Sequence, residues 1–268
     1  MKKNIIYLTL ITLLLSILIV GCGIQKASTT IETNASKPES TIELNISAAA
    51  SLKEAMTDIQ DEFKKVKPNV TLTVNFGASG SLQQQIEQGA PCDIFISAGQ
   101  SQMKALADKS LLLDNTKKDL VKNDLVLVGP KETTITGLSD LTSDKVKKIA
   151  VGEPQSVPAG KYADEVFTKL GVKDAISSKL VFAKDVKEVL AWSTSGNAEV
   201  GLVYKSDALS SKDAKIIETV SDDKHSPITY PIGVIKASKN PDAAKAFEDF
   251  LFTDTCKKIF EKYGYGIA

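Results

Sequence analysis

The chain has 268 residues and a formal net charge of zero, with 33 cationic and 33 anionic side chains. Every cation is a lysine, because the sequence contains no arginine, and His225 is the single histidine. A neutral chain without arginine is poorly equipped to bind nucleic acid, and one histidine excludes a multi-histidine metal centre. The hydrophobic fraction of 43% and this length predict one large or two modest globular domains.

Residues 1–21 have the pattern of a bacterial secretion signal. Lys2 and Lys3 precede an apolar run that continues to Val20, and this order of charged and hydrophobic regions is typical of a signal peptide. The run ends in the letters IVGC, which resemble a lipoprotein cleavage site, so we expect cleavage before Cys22 and lipid attachment to its thiol. An uncleaved membrane helix is the alternative. The signal predicts an extracytoplasmic protein that is lipid-anchored to the outer face of the cell membrane.

Residues 22–40 are polar, lack aromatic side chains and are rich in serine and threonine, so they are predicted to form a flexible, lipidated tether. From residue 41 onward, short apolar runs alternate with amphipathic helical stretches. The predicted strands lie at 42–46, 70–76, 93–97, 124–129, 148–152, 180–183 and 199–204. The predicted helices lie at about 52–66, 82–88, 100–108, 160–170, 186–192 and 242–262. This alternation predicts an α/β fold with mostly parallel sheets flanked by helices.

Two extended runs, residues 125–128 and 230–235, are predicted to cross between two lobes. If both cross, the first lobe comprises residues 41–123 plus 235–268, and the second lobe comprises residues 124–234. The two crossing strands would then form a hinge.

Four turns between a predicted strand and the next helix are rich in small or polar residues. They lie at 48–51, 77–81, 152–160 and 184–186. Ligands of open α/β sheets bind beyond the carboxyl ends of the strands, where free N–H groups and the positive dipole ends of helices favour anions. Several such ends in one place would bind an anion without a cationic side chain. Each turn taken alone is also explained by helix capping and chain reversal.

Other kinds of site find less support. A serine hydrolase that used Ser51 or Ser79 would need a base, and His225 lies in a charged loop of the surface type. The turn at 77–81 is followed by no lysine and is not a P-loop. We therefore expect no enzymatic activity.

The remaining chemically distinctive residues are two cysteines and one tryptophan. Cys92 and Cys256 could pair in an oxidising compartment, but their spacing does not decide this, and unpaired thiols are favoured. Trp192 falls on a predicted helix, where it is expected to pack in the core rather than stack on a ligand.

Five short motifs follow one another along the domain. They are AAASL at 48–52, FGASGSL at 76–82, GAPCDIFISA at 89–98, VPAGKYA at 157–163 and GLVYKSDA at 201–208. Together they resemble the periplasmic molybdate-binding proteins, the substrate-binding components of ABC-type molybdate importers. The resemblance covers essentially residues 42–268. It implies the two-lobed periplasmic binding protein fold, which closes on its ligand by a hinge.

The resemblance also implies a set of oxyanion-binding residues. Ser51 and Ser79 would donate through the hydroxyl and the backbone N–H. Ala159 and Val186 would donate through the backbone N–H, and Tyr204 through its hydroxyl. Molybdate is a tetrahedral dianion that offers only acceptors, so neutral donors suit it, and tungstate is nearly isosteric. Hydrogen phosphate carries a proton and would need an acceptor, whereas sulfate needs the same donors as molybdate but is smaller.

The resulting hypothesis is a receptor that captures molybdate, and also tungstate, between its lobes and delivers it to an ABC permease with a cytoplasmic ATPase. It predicts a monomer with no cofactor, no direct metal ligands and no nucleic-acid partner. A receptor for another tetrahedral oxyanion, sulfate foremost, is one alternative. An extracellular hydrolase and an oxyanion sensor that docks on a signalling partner are two others.

Overall fold

A computed structural model of the protein describes residues 41–268. The predicted signal peptide, the tether and the lipidation site at Cys22 lie outside these described residues. Within them, the strands are β1 Ile42–Ala49, β2 Val70–Gly77, β3 Ile94–Ile96, β4 Lys118–Lys122, β5 Leu125–Pro130, β6 Ile149–Gly152, β7 Leu180–Ala183, β8 Val200–Tyr204, β9 Ala214–Thr219, β10 Thr229–Val234 and β11 Gly266–Ile267. The α-helices are α1 Lys53–Val66, α2 Ser79–Glu87, α3 Gln100–Asp108, α4 Pro158–Leu170, α5 Lys173–Ile176, α6 Val186–Ser195, α7 Lys205–Leu209, α8 Pro241–Leu251 and α9 Asp254–Lys262.

The described strands form two sheets, each flanked by helices. The order in the six-stranded sheet is β11-β4-β10-β3-β1-β2, and the order in the five-stranded sheet is β7-β6-β8-β5-β9. This architecture confirms the predicted α/β fold with two sheets.

Both sheets are mixed, which differs from the prediction of mostly parallel sheets. The pairs β1–β2, β1–β3, β6–β7 and β6–β8 are parallel. The pairs that involve β4, β5, β9, β10 or β11 are antiparallel. Parallel neighbours need a long crossover, usually a helix, and this strand-helix alternation occurs only before residue 109 and between residues 149 and 204. Around the two passages from sheet to sheet, the strands pair antiparallel instead.

The second passage between the sheets lies earlier in the chain than predicted. The chain leaves the six-stranded sheet between β4 and β5, and it returns between β9 and β10 through residues 220–228. The second lobe predicted from the sequence, residues 124–234, therefore includes at its end a strand of the six-stranded sheet, because β10 pairs with β3 and β4. Below, lobe 1 means residues 41–123 and 229–268, and lobe 2 means residues 124–228. The hinge itself stays a prediction.

The core of lobe 1 explains why its helices pack where they do. Met56, Ile59 and Phe63 recur at helical spacing on α1 and are fully buried, as expected for the apolar face of an amphipathic helix. The Phe63 ring meets that of Phe247 on α8 edge to face, with centroids 4.9 Å apart. Such aromatic pairs contribute about 0.5–1.5 kcal/mol beyond the burial of their area.

The predicted long helix at 242–262 is in fact two helices. They are separated at Thr253, whose backbone is extended and whose hydroxyl donates to the carbonyl oxygen of Phe250 at 2.7 Å. Threonine hydroxyls that bond to nearby backbone compete with continued helix. The apolar spacing continues across the break, so periodicity alone did not reveal it.

The cysteines and the surface of the described region complete the fold. Cys92 and Cys256 are both buried free thiols, and burial raises the pKa of Cys256 to about 11. Across residues 41–268, no helix has both the length and the apolar character needed to cross a membrane. In the same residues, no group of three or more His, Cys, Asp or Glu side chains is placed to hold a metal ion.

Candidate ligand-binding site

A small, partly open cavity lies where the loops of lobe 1 meet those of lobe 2. Its volume is about 10 Å³, room for about one water molecule. The lining residues are Ala49, Ala50, Ser51, Gly77, Ala78, Ser79 and Ala98 from lobe 1, with Val157, Pro158, Ala159, Asp185, Val186 and Tyr204 from lobe 2. All five residues predicted from the sequence to bind an oxyanion thus line one cavity. Each of the five is buried, with at most 4% of its surface exposed.

The lobe 1 side of the cavity is built at the ends of two neighbouring parallel strands. Ala49 at the end of β1 lies opposite Gly77 at the end of β2, so the segments that follow both strands emerge at the same edge of the sheet. A short 3₁₀ turn, Ala50–Leu52, leads from β1 into α1. Ser79 begins α2. The first N–H groups of a helix have no partner within it, and these N–H groups lie at the cavity.

The lobe 2 side repeats this arrangement with two more helix N-termini. Ala159 is the second residue of α4, which begins with Pro158, and Val186 is the first residue of α6. Asp185 precedes α6, and its carboxylate accepts from the N–H of Glu188 at 2.9 Å. This acid therefore caps its own helix, as an N-cap aspartate does. Ala159 and Val186 lie in the first turns of these helices, where the N–H groups have no partner within the helix, and both residues line the cavity.

The hydroxyl groups at the cavity are held by single contacts to the protein. Ser79 Oγ accepts from the N–H of Ala98 at 2.9 Å, and Ser51 Oγ lies 2.9 Å from the hydroxyl of Tyr230. Tyr204 Oη donates across a long 3.4 Å contact to the carbonyl oxygen of Ala98. Burial raises the pKa of Tyr204 and that of Tyr230 well above the usual range for tyrosine, so both hydroxyls keep their protons.

Direct contacts between the lobes close the cavity. The N–H of Gly80 in lobe 1 donates to the carbonyl oxygen of Ser156 in lobe 2 at 2.9 Å. A Cβ atom at position 80 would lie only 2.7 Å from that oxygen, so glycine is needed for this close approach. The Tyr204–Ala98 contact also joins the two lobes.

A partly buried ion cluster lies next to Val186 of the cavity lining and also crosses between the lobes. Lys187 Nζ lies 2.6 Å from Glu54 of lobe 1 and 3.0 Å from Asp207 of lobe 2. Burial opposes the charge of Lys187, but attraction to Asp207 and hydrogen bonding to Glu54 raise its pKa above the ordinary lysine value. Burial raises the pKa of Asp207 to about 6, and Lys187 partly offsets this effect.

The geometry at Asp207 shows how this cluster is stabilised. Neither carboxylate oxygen has a hydrogen-bond donor in good alignment, although the ammonium of Lys187 is within ion-pair distance. Charge attraction to Lys187 therefore stabilises Asp207, because the attraction between two charges depends on their distance and not on hydrogen-bond angle. No lysine lines the cavity itself.

The structure places the other chemically distinctive residues away from the cavity. The His225 ring meets that of Tyr162 edge to face, with centroids 5.9 Å apart, and its Nδ1 lies 2.8 Å from the carbonyl oxygen of Ser226. Trp192 is partly buried against the hydrophobic core, as predicted. A wider cleft of about 650 Å³ includes Cys92 and Asp93 but contains none of the predicted ligand residues.

Sequence reasoning did not identify two residues that contact the donors of the cavity. Ala98 lies inside a recognised motif, and its N–H and carbonyl groups contact Ser79 and Tyr204. Tyr230 lies on β10 and contacts Ser51. The contacts of Ala98 are made by backbone atoms, so they do not depend on its residue type. Tyr230 was missed because the sequence predicts that β10 belongs to the second lobe.

Comparison with known proteins places this chain in a family. The profile of the bacterial extracellular solute-binding proteins matches residues 44–266. YvgL of Bacillus subtilis, named as an ABC transporter substrate-binding lipoprotein, is 41% identical over 266 residues, which cover 98% of each chain. The molybdate-binding protein ModA of Escherichia coli is 41% identical over 230 residues, covering 84% of this chain and 89% of ModA.

A solved structure agrees with these relatives. The substrate-binding domain of a molybdenum ABC transporter from Clostridium difficile superposes with a TM-score of 0.68 at 65% sequence identity. The match covers 85% of this chain and 100% of that domain. On the sequence motifs, the two-sheet fold and these matches, the chain belongs to the bacterial extracellular solute-binding protein family, among relatives that are named as molybdate-binding proteins.

Proposed function

We propose that this protein captures molybdate, and also tungstate, in the cavity between its lobes and delivers it to an ABC importer. One observation carries the proposal: hydroxyls and free helix N-termini from both lobes line a single buried cavity that contains no lysine. The names of the relatives in Escherichia coli and Clostridium difficile support the choice of ligand.

The electrostatics of the cavity suit a small dianion. Each helix N-terminus carries about half a positive charge and stabilises an anion by roughly 0.3–1 kcal/mol at a surface, and by about 2 kcal/mol in favourable partly buried geometries. Helices α2, α4 and α6 contribute such ends, together with the turn before α1. Among buried residues these interactions are screened less than in water. Together they would hold a dianion without a cationic side chain in the cavity lining.

Capture would use contacts from both lobes. Ser51 and Ser79 lie in lobe 1, whereas Ala159, Val186 and Tyr204 lie in lobe 2. A ligand that contacts both sets binds the closed form better than the open form, and so it shifts the population toward closure. The ion pair between Lys187 and Glu54 would form in the same step, because its partners lie in different lobes.

The remaining parts of the proposal concern anchoring, partners and catalysis. Lipid attachment at Cys22 is supported by the sequence pattern and by the name of the Bacillus subtilis relative. The receptor would work as a monomer beside its permease, without a cofactor. We expect no hydrolase activity, because Asp185 is the one acidic side chain in the lining and its carboxylate caps α6.

Isothermal titration of the purified protein with molybdate, tungstate, sulfate and phosphate tests the proposal. We expect molybdate and tungstate to bind with similar affinity, and sulfate and phosphate to bind at least tenfold more weakly. Ser79→Ala should weaken molybdate binding, whereas Ser101→Ala, on the exposed face of α3, should leave it unchanged. Sulfate binding as tight as that of molybdate would show that the site serves another oxyanion.

A further inference from the structure

Asp185 is the one acidic side chain in the lining of the cavity. It precedes α6, and its Oδ1 accepts from the N–H of Glu188 at 2.9 Å. The carboxylate therefore lies at the first turn of α6, the same helix end at which Val186 lines the cavity. A negative charge at this position opposes the charge of an anion that binds there.

The described residues supply no cation that pairs with this carboxylate. Lys187 on the same helix pairs with Glu54 and Asp207 instead. Asp185 is also half-buried, so its charge is screened less by salt and water than that of a fully exposed carboxylate. The charge of Asp185 is thus left to act on the cavity.

The other two α-helices that begin at the cavity carry no such charge. Helices α2 and α4 have no acidic residue in their first turns, and the residues before them are Ala78 and Val157. Helix α6 has Asp185 before it and Glu188 in its first turn. Acids at a helix N-terminus stabilise the helix by compensating the partial positive charge that would otherwise attract an anion. Helix α6 therefore attracts an anion in the cavity less than α2 or α4 does.

Capping of α6 does not require the charge of Asp185. Asparagine and serine cap helices about as well as aspartate does, and glycine is only slightly worse. The backbone of Asp185 is extended, with φ −156° and ψ 171°, a conformation that asparagine and glycine adopt without strain. The effect of the charge can therefore be separated from the effect of the cap.

We propose that Asp185 sets the affinity of this site: its charge stabilises α6, repels a bound dianion and so speeds release of the ligand. The proposal rests on the proposed function of the cavity. It deepens that function, because a receptor that delivers its ligand must release it as well as capture it. The helix N-termini and the hydroxyls supply the attraction, and Asp185 limits it.

Titration of Asp185→Asn and Asp185→Gly with molybdate tests this proposal. Asparagine keeps the cap and removes the charge, whereas glycine removes the charge without adding a side chain that could donate to the ligand. We expect both variants to bind molybdate at least about threefold more tightly than the unaltered protein. Stopped-flow measurement should show that dissociation of molybdate is slower in both.

Thermal unfolding of the ligand-free variants separates this effect from structural damage. The unfolding temperature should stay the same or fall, because α6 loses a charge that stabilises it. Tighter binding together with equal or lower stability is the expected combination. A variant whose helix end is merely disordered would lose affinity instead.

Glu188→Gln is the matched control. Glu188 lies in the same first turn and carries the same charge, but it is outside the cavity lining, and its carboxylate accepts from the N–H of Lys184 at 2.8 Å. Its replacement should change the molybdate affinity by less than about twofold. If Glu188→Gln tightens binding as much as the Asp185 variants do, the position of Asp185 in the lining is not the cause and the proposal is overturned.

The outcomes distinguish this proposal from the function on which it rests. If the unaltered protein binds molybdate and neither Asp185 variant binds it more tightly, the role of Asp185 is wrong and the function stands. If only Asp185→Asn binds more tightly, the new amide donates to the ligand, and the role of the charge is wrong. If the unaltered protein prefers sulfate, the ligand assignment is wrong, and the sulfate affinity of the same variants tests Asp185, because sulfate is also a dianion. If the unaltered protein binds no tetrahedral oxyanion, both proposals are overturned.

Discussion

Replacement of Tyr204 by phenylalanine isolates the contribution of one hydroxyl to ligand binding. Tyr204 is 1% exposed, and its ring packs against those of Tyr162 and Tyr230 with centroids 6.5 and 5.6 Å away. Phenylalanine keeps these contacts. In the structure the hydroxyl makes only the long 3.4 Å contact to Ala98, so its removal leaves one weakly bonded carbonyl and should change the free energy of unfolding little.

The expected effect on binding is larger than the effect on stability. A hydrogen bond to a charged group contributes about 1.5–3 kcal/mol, and every 1.4 kcal/mol is a factor of ten in affinity. The weak contact to Ala98 that the ligand would replace lowers the effect only slightly. Tyr204→Phe should therefore weaken molybdate binding by roughly 10- to 150-fold.

Isothermal titration and thermal unfolding of the same preparations measure these two effects. Tyr162→Phe is the control, because Tyr162 neighbours Tyr204 but lies outside the cavity lining. Burial raises the pKa of Tyr162 to about 12, so both tyrosines are neutral and the comparison involves no change of charge. If Tyr204→Phe binds molybdate as tightly as the unaltered protein, Tyr204 is not a ligand and the reasoning fails.

Three further predictions concern closure and charge. Gly80→Ala should weaken molybdate binding more than tenfold, because its Cβ would lie 2.7 Å from Ser156 of the opposite lobe. It should not lower the unfolding temperature, because alanine favours the helix by about 1 kcal/mol relative to glycine. Normal molybdate affinity in titration would contradict this prediction. Glu54→Gln should weaken binding several-fold by removing an ion pair with Lys187 whose partners are partly exposed, and no loss at low ionic strength would argue against it. The pKa of Asp207 is raised to about 6 from an ordinary value of 3.8, so its contribution to stability is fully present below about pH 4 and is lost as the pH rises through 6. The free energies of unfolding of the protein and of Asp207→Asn, measured with denaturant, should therefore differ by an amount that changes between pH 4 and pH 6. A difference that stays constant over this range would refute the assignment.

The parts of the fold that could be predicted were those with strong local patterns. The strand at 180–183 and the helix at 100–108 have the predicted bounds, because both are apolar or amphipathic runs between clear breaks. Strand β4, with the sequence KDLVK, has too few apolar residues to stand out. Without β4, nothing in the sequence indicated that β10 has a partner in the first sheet.

The cavity was more predictable than the sheets. Ser51, Ser79 and Ala159 follow strand ends that bring helix N-termini to one place, and their motifs are continuous in sequence. Their role as ligands stays a prediction. Tyr230 could not be found in this way, because it reaches Ser51 from a strand 179 residues further along the chain, and only the three-dimensional pairing of β10 with β3 brings it there.

The backbone origin of the donors at Ala159 and Val186 has a consequence for how such a site can change. A substitution by any residue except proline at either position keeps the N–H group and alters only the bulk beside the cavity, as both are lining residues. On the proposed function, random mutation would reshape the cavity at these positions without removing a hydrogen bond. Ligand size could thus drift between related receptors while the number of donors is inherited unchanged, and an alanine scan would overlook a substantial part of the site.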